Sequence, residues 1–268
     1  HIPMKQRLFL LSFLALVFIV KPQEAHASHA SGIDLTYTCL GGNNYQFELA
    51  FYRDCAGISA PTSPQLSISS SSCGISTTIT LTKISGPIEV STLCTGNPNS
   101  TCNGGNEPGF EQYIYSGTYT LPAQCSDWLF SFTECCRNDQ ITNLVSPGSE
   151  DMYVEATLNN TGGICNSSPV FTTTPVPFIC VGELFCYNHA TVDPDGDSLV
   201  YTLVNPLGNG QAPISYTAGY SPTYPITTTT GTVSFNSSTG EMCFTPDAAQ
   251  VSVVTVLIEE YRGGVLIG

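Results

Sequence analysis

Asp193-Pro194-Asp195-Gly196-Asp197 places three carboxylates within five positions of a chain in which charged residues make up only 10%. Carboxylates so spaced can do three kinds of work. A pair can serve as general acid and base if a cleft splits their pKa values. Grouped with other oxygens, they can hold a hard divalent cation. Asp-Pro and Asp-Gly can also simply make a tight turn. Catalysis needs company, and no second acidic motif, Ser-His pair or metal-histidine set accompanies these residues. A non-enzymatic protein is therefore expected. A helical calcium loop counted from Asp193 would need Gly at its sixth position and Glu at its twelfth, where Ser198 and Val204 stand. The cation and turn readings both remain open on the residues alone.

Cysteine is the second reactive residue type. All twelve cysteines lie beyond residue 27, no C-x-x-C pair occurs, and histidine ligands are scarce. An even count in an exported chain reads as disulfides rather than as zinc ligands. Cys186 and Cys243, both on strand-like segments, are expected to bridge, with Cys165–Cys180 as a clasp across a linker. Vicinal Cys135 and Cys136 would point to opposite faces of an extended strand and so bond different partners. Aromatic side chains offer a third chemistry. Trp128, Tyr113, Tyr115 and Tyr119 could stack on sugar rings if a sheet face exposed them, although the apolar neighbours of Trp128 favour a core position.

The elements that must position these groups are strands. Short runs rich in Val, Ile, Thr, Tyr and Phe, broken by Gly, Pro, Asn and Ser, recur from Asp34 onward. In Tyr45–Asp54 the apolar residues Tyr45, Phe47, Leu49 and Phe51 alternate with Gln46, Glu48 and Ala50, the period of a half-buried strand. The expected class is all-β, two disulfide-rich β-sandwich domains. Before them, Lys5 and Arg7, the apolar run Leu8–Val20 and Ala25-His26-Ala27 form the three parts of a secretory signal peptide, with His1-Ile2-Pro3 as an upstream extension. The expected division is a signal peptide over 1–27, a cysteine-rich domain over 28–165, a polar linker over 166–177 and a second domain over 178–268, truncated at its C-terminus. Loss of residues 1–27 leaves 4 basic and 20 acidic residues, so the formal charge moves from −14 to −16. Such a surface repels nucleic acid and anionic membrane and favours cations. No transmembrane helix is expected in the mature chain.

"ATVDPDGDSLVYTL" (190–203) resembles the calcium half-motif of cadherin-like repeats, A-x-D-x-D ahead of a strand of the form L-x-Y-x-L. "SSPVF" (167–171) is similar to the segment opening such repeats, and "TGEMCFTP" (239–246) to their central hairpin. The resemblance implies a structural Ca²⁺ on Asp193, Asp195 and Asp197. It adds Glu183, which sits where these repeats place an early glutamate and begins a strand expected to run into the bend. Longer phrases, "LTYTCLGGNNYQFELAFYRDCAGISAP" (35–61), "QYIYSGTYTLPAQCSDWLFSFTECCRNDQITNL" (112–144), "MYVEATLNNTGGICNSSPVF" (152–171) and "IEEYRGGVLIG" (258–268), resemble the amino-terminal region of large secreted Bacteroidota surface proteins. Those proteins carry Ig-like, PKD-like or cadherin-like repeats, and many are sorted by type IX secretion and associated with gliding motility. The resemblance implies a structural and adhesive module attached to the cell surface, with further repeats of the same longer protein as partners. The alternative function is a carbohydrate-binding module that recognises surface glycans.

Overall fold

A computed structural model describes residues 30–91, 99–173, 178–189 and 191–268. The signal-peptide reading, Cys94 and positions 174–177 of the expected linker lie outside the described residues. The chain is all-β. Its first half comprises β1 (Ala30–Gly41), β2 (Asn44–Asp54), β3 (Gln65–Ser70), β4 (Ile75–Thr80), β5 (Thr82–Glu89), β6 (Phe110–Thr120), β7 (Trp128–Glu134) and β8 (Met152–Leu158). These strands form two four-stranded antiparallel sheets, in the orders β1-β2-β6-β5 and β4-β3-β7-β8. Strand alternation decides the core. Tyr45, Phe47, Leu49 and Phe51 of β2 are buried, as are Leu66 and Ile68 of β3 and Trp128, Phe130 and Phe132 of β7. One continuous apolar cluster joins the inner faces of both sheets, with edge-to-face contacts of Phe130 on Phe47 and Tyr37.

The second half is built from shorter pieces: β9 (Val170–Phe171), β10 (Phe185–Asn188), β11 (Thr191–Val192), β12 (Ser198–Leu203), β13 (Ser234–Phe235), β14 (Glu241–Phe244), β15 (Val256–Arg262) and β16 (Val265–Leu266). They pair as β10-β14-β13, β11-β9 and β12-β15-β16. Leu203, Ile226, Met242 and Phe244 centre a small core of their own. Helical structure among the described residues is limited to short 3-10 turns, and no helix there is long and apolar enough to cross a membrane.

Five disulfides join Cys39–Cys165, Cys55–Cys102, Cys73–Cys125, Cys135–Cys136 and Cys186–Cys243. Cys186 and Cys243 face each other in the β10–β14 register, with Cα atoms 4.1 Å apart. Two expectations are corrected. Cys165 bonds Cys39 rather than Cys180, which is exposed and bonded to none of these ten. The reason is the path of the next residues: Ser168 N–H donates to the Tyr37 carbonyl, and the Ser168 and Ser167 hydroxyls accept from the N–H groups of Tyr37 and Cys39. That pairing lays the segment along β1 and brings Cys165 beside Cys39. Cys135 and Cys136 bond each other, with Cα atoms 3.1 Å apart across a cis peptide. Alternation does not govern them because β7 ends at Glu134.

The start of the expected linker is also corrected. Asn166, Ser167 and Ser168 are buried, held by β1 and by the second half. A second seam joins the halves through the loop between β7 and β8. Asn143, fully buried, donates to the carbonyls of Pro225 and Val253 (2.9 and 2.8 Å) and accepts from Val253 N–H at 3.0 Å. Ile141, Leu144 and Ile214 form an apolar cluster beside it.

Candidate metal centre

The Asp-Pro-Asp-Gly-Asp stretch is a bend between β11 and β12. Asp193 Oδ1 accepts the backbone N–H groups of Asp195 and Asp197 at 2.9 and 2.8 Å, an arrangement Asp favours because its short side chain reaches its own backbone. Gly196 takes the left-handed conformation, φ 82°, which costs glycine nothing. The turn therefore curls the three carboxylates toward one side.

Their fourth companion comes from the strand register. Leu199 of β12 faces Glu260 of β15 and Ser198 faces Tyr261, and one position further out, just before β12, Asp197 meets Arg262. Glu260 is completely buried, and each of its carboxylate oxygens accepts from Asn166 Nδ2 at 2.9 Å. One oxygen from each of Asp193, Asp195, Asp197 and Glu260 lies within 4.8 Å of the others. Glu183 has no place in this group. It is exposed ahead of β10, and the chain changes sheets before the bend, β10 pairing with β14 and β11 with β9. A strand that runs toward the bend also carries its first residue away, by roughly 3.3 Å per position. Sequence reasoning missed Glu260, whose available signal was an acid inside the apolar strand "VLIEEYR".

Electrostatics divides the four. Arg262 Nε and Nη2 donate to Asp197, at 2.8 Å to Oδ1 and 2.5 Å to Oδ2, and this partner holds the Asp197 carboxyl below its usual range. Asp195 Oδ2 accepts Ser167 N–H at 2.7 Å and lies 3.6 Å from Arg262. Burial, then the neighbouring Asp193, push Glu260 up to about 9. The second oxygen of Asp193 is buried and accepts from no N–H or hydroxyl group, and the protonated Glu260 carboxyl shares a hydrogen bond with the Asp193 side chain.

No family model, curated protein or solved structure matches this chain.

The donor set is all oxygen, the chemistry of a hard divalent cation, and Asp193 contributes one oxygen to it. With Glu260 protonated near neutral pH, the three aspartates and Arg262 leave a formal charge of −2 to be balanced, which becomes −3 if a cation displaces the Glu260 proton. Two other groupings of acids and cysteines, around Cys55–Cys102 and Cys135–Cys136, have their sulfurs committed to disulfides.

The aromatic residues considered as a sugar platform are placed otherwise. Trp128 is fully buried and donates from Nε1 to Asn160 Oδ1 at 3.1 Å. Tyr115 is fully buried with its hydroxyl on the Pro61 carbonyl, while Tyr113 and Tyr119 pack half-buried against the same core. Equal parity along β6 aims all three tyrosines inward.

Proposed function

We propose that this chain is a non-enzymatic structural and adhesive module of a large exported surface protein, in the setting of gliding motility or surface adhesion. Its second half is read as a cadherin-like repeat whose acidic centre holds Ca²⁺. The observation that carries the reading is the convergence of one oxygen each from Asp193, Asp195, Asp197 and Glu260 within 4.8 Å of one another. Five disulfides add support, since such bonds persist in oxidising compartments.

The cluster joins three stretches of chain. The bend supplies three aspartates, β15 supplies Glu260, and Asn166 and Ser167 tie both to the segment lying along β1. Calcium, when bound, would neutralise the excess negative charge. The residues themselves fix the geometry: Arg262 orients Asp197, Ser167 N–H orients Asp195, and Asn166 orients Glu260. The outcome is a stiffened joint between the halves, the property a surface-borne module requires.

Thermal unfolding of the wild type and of Asp193→Asn, each with millimolar Ca²⁺ or with chelator, tests the reading. Extracellular sites commonly bind at about 10⁻⁴–10⁻³ M, so millimolar calcium should raise the wild-type midpoint and leave the variant unmoved. Four coincident melting curves would reduce the bend to a turn.

A further inference from the structure

The outer face of the β3-β7-β8 sheet carries a groove of about 400 Å³ that owes nothing to the acidic centre. Strand parity explains its floor. Leu66, Ile68, Phe130 and Phe132 point inward, which leaves Ser67 and Ser69 of β3 and Ser131 and Thr133 of β7 on the opposite face. Ser67 faces Ser131 across one strand pair, and Thr133 faces Tyr153 across the next. Among the described residues no hydrogen bond occupies the hydroxyls of Ser67, Ser69 or Thr133.

The groove's wall comes from the other half of the chain. A 3-10 turn, Asn209–Gln211, stands over β8, and Glu155 Oε2 accepts both Tyr153 Oη at 2.7 Å and Gln211 Nε2 at 2.5 Å. Arg137 fixes the approach to that turn through the Leu207 carbonyl at 3.1 Å. The trough is thus a composite of both halves, a position where ligand sites concentrate.

We infer that this groove binds a neutral oligosaccharide. The one charged side chain at its wall, Glu155, has Oε2 engaged by Tyr153 and Gln211, and the residues of the floor are uncharged, although the chain carries −14 overall. Hydroxyl and amide groups each donate and accept, which matches the mixed donors and acceptors of a sugar ring. The half-buried ring of Tyr153 supplies an apolar face for sugar C–H groups beside those polar partners. The volume falls in the range of about 300–1,000 Å³ usual for ligand sites. A peptide strand would instead seek the main-chain groups of a sheet edge, whereas this trough lies on a sheet face. The glycan-binding surface is therefore on β3, β7 and β8, away from β6 and its tyrosines.

The test is a printed array carrying neutral hexasaccharides of glucose, mannose, xylose and galactose, with polyuronate and sulfated oligomers as charged controls, probed with the oxidised chain. Neutral hexasaccharides should be retained and the charged ones not. Tyr153→Ala and Ser67→Arg, the latter filling the floor from a solvent-facing position, should each weaken binding by at least about tenfold. Unchanged circular dichroism and melting midpoint would separate that loss from misfolding. The array probed in chelator and in millimolar Ca²⁺ should retain neutral hexasaccharides in both, so a failed calcium melt and a failed array are read separately. The proposal is overturned if no neutral hexasaccharide binds, if charged oligomers are preferred, or if both groove variants bind like the wild type.

Discussion

Arg262 donates through Nε and Nη2 to both carboxylate oxygens of Asp197, a side chain only 5% exposed, across the register that pairs β12 with β15. This ion pair gives the acidic centre its one fixed positive charge and settles which carboxylates remain available to a cation. Asp197 is engaged by the guanidinium, and Asp195 is partly engaged. Asp193 and Glu260 share the remaining charge, with Glu260 holding a proton in the absence of a cation.

Arg262→Ala leaves the nearly buried Asp197 carboxylate without its main donor. A loss of about 1–3 kcal/mol is expected in chelator, the usual cost of an unsatisfied buried polar group. Millimolar calcium should recover part of that loss, because Asp197 becomes a further ligand. Denaturant melts with and without calcium measure both quantities, and an equal loss in both conditions would show that Asp197 does not face the cation.

Stability should fall as pH rises in the absence of calcium. The carboxyl of Glu260 is raised from 4.5 to about 9, so the folded state holds a proton that the unfolded state has released across that interval. Its stabilising contribution is complete below the unfolded value and is lost as pH passes through the folded one. Asp34, raised to about 6 by burial, adds a smaller decline over the lower part of the range. Melting midpoints measured across this interval in chelator should decline in the wild type and flatten in Glu260→Gln.

Asn143→Ala removes a buried amide that serves three backbone groups of the second half. The expected destabilisation is roughly 3 kcal/mol, since two carbonyls and an N–H lose their partner together. Limited proteolysis should then cut the loop between β7 and β8 before the sheets. Resistance of that loop in a destabilised variant would mean that the seam does not depend on Asn143.

Non-reducing peptide mapping should find Cys165 linked to Cys39, and Cys135 linked to Cys136. The 126-residue separation of Cys39 and Cys165 makes theirs the longest loop closed by the five bonds. Replacing both with Ser should cost about 5 kcal/mol by loop-closure entropy, somewhat more than replacing Cys55 and Cys102. A Cys165–Cys180 peptide would contradict the path of residues 166–168 along β1.

The all-β class was legible in the sequence because alternation of period two is a local property. Tyr45, Phe47, Leu49 and Phe51 are buried wherever β2 pairs, and Trp128 between apolar neighbours has the same fate. The bend at Asp193–Asp197 was legible for a similar reason: Asp and Gly make that turn from their own backbone and side-chain chemistry. The Cys186–Cys243 bridge followed from two strand-like segments within one unit.

What the sequence left open depends on groups far apart in the chain. Glu260 reaches the aspartates through the β12–β15 register, a long-range pairing that no local pattern encodes. Asn166 and Ser167 have the composition of a flexible connector, yet they are buried because β1 and β15 both offer partners to their polar atoms. The hydroxylic face of β3 and β7 is visible as alternation, but it becomes a groove only where the turn at Asn209–Gln211 crosses it. Alternation assigns each side chain to a face of its strand. Which remote groups meet that face is decided by tertiary packing, because hydrogen bonds and charges act over a few ångströms of space regardless of separation in sequence.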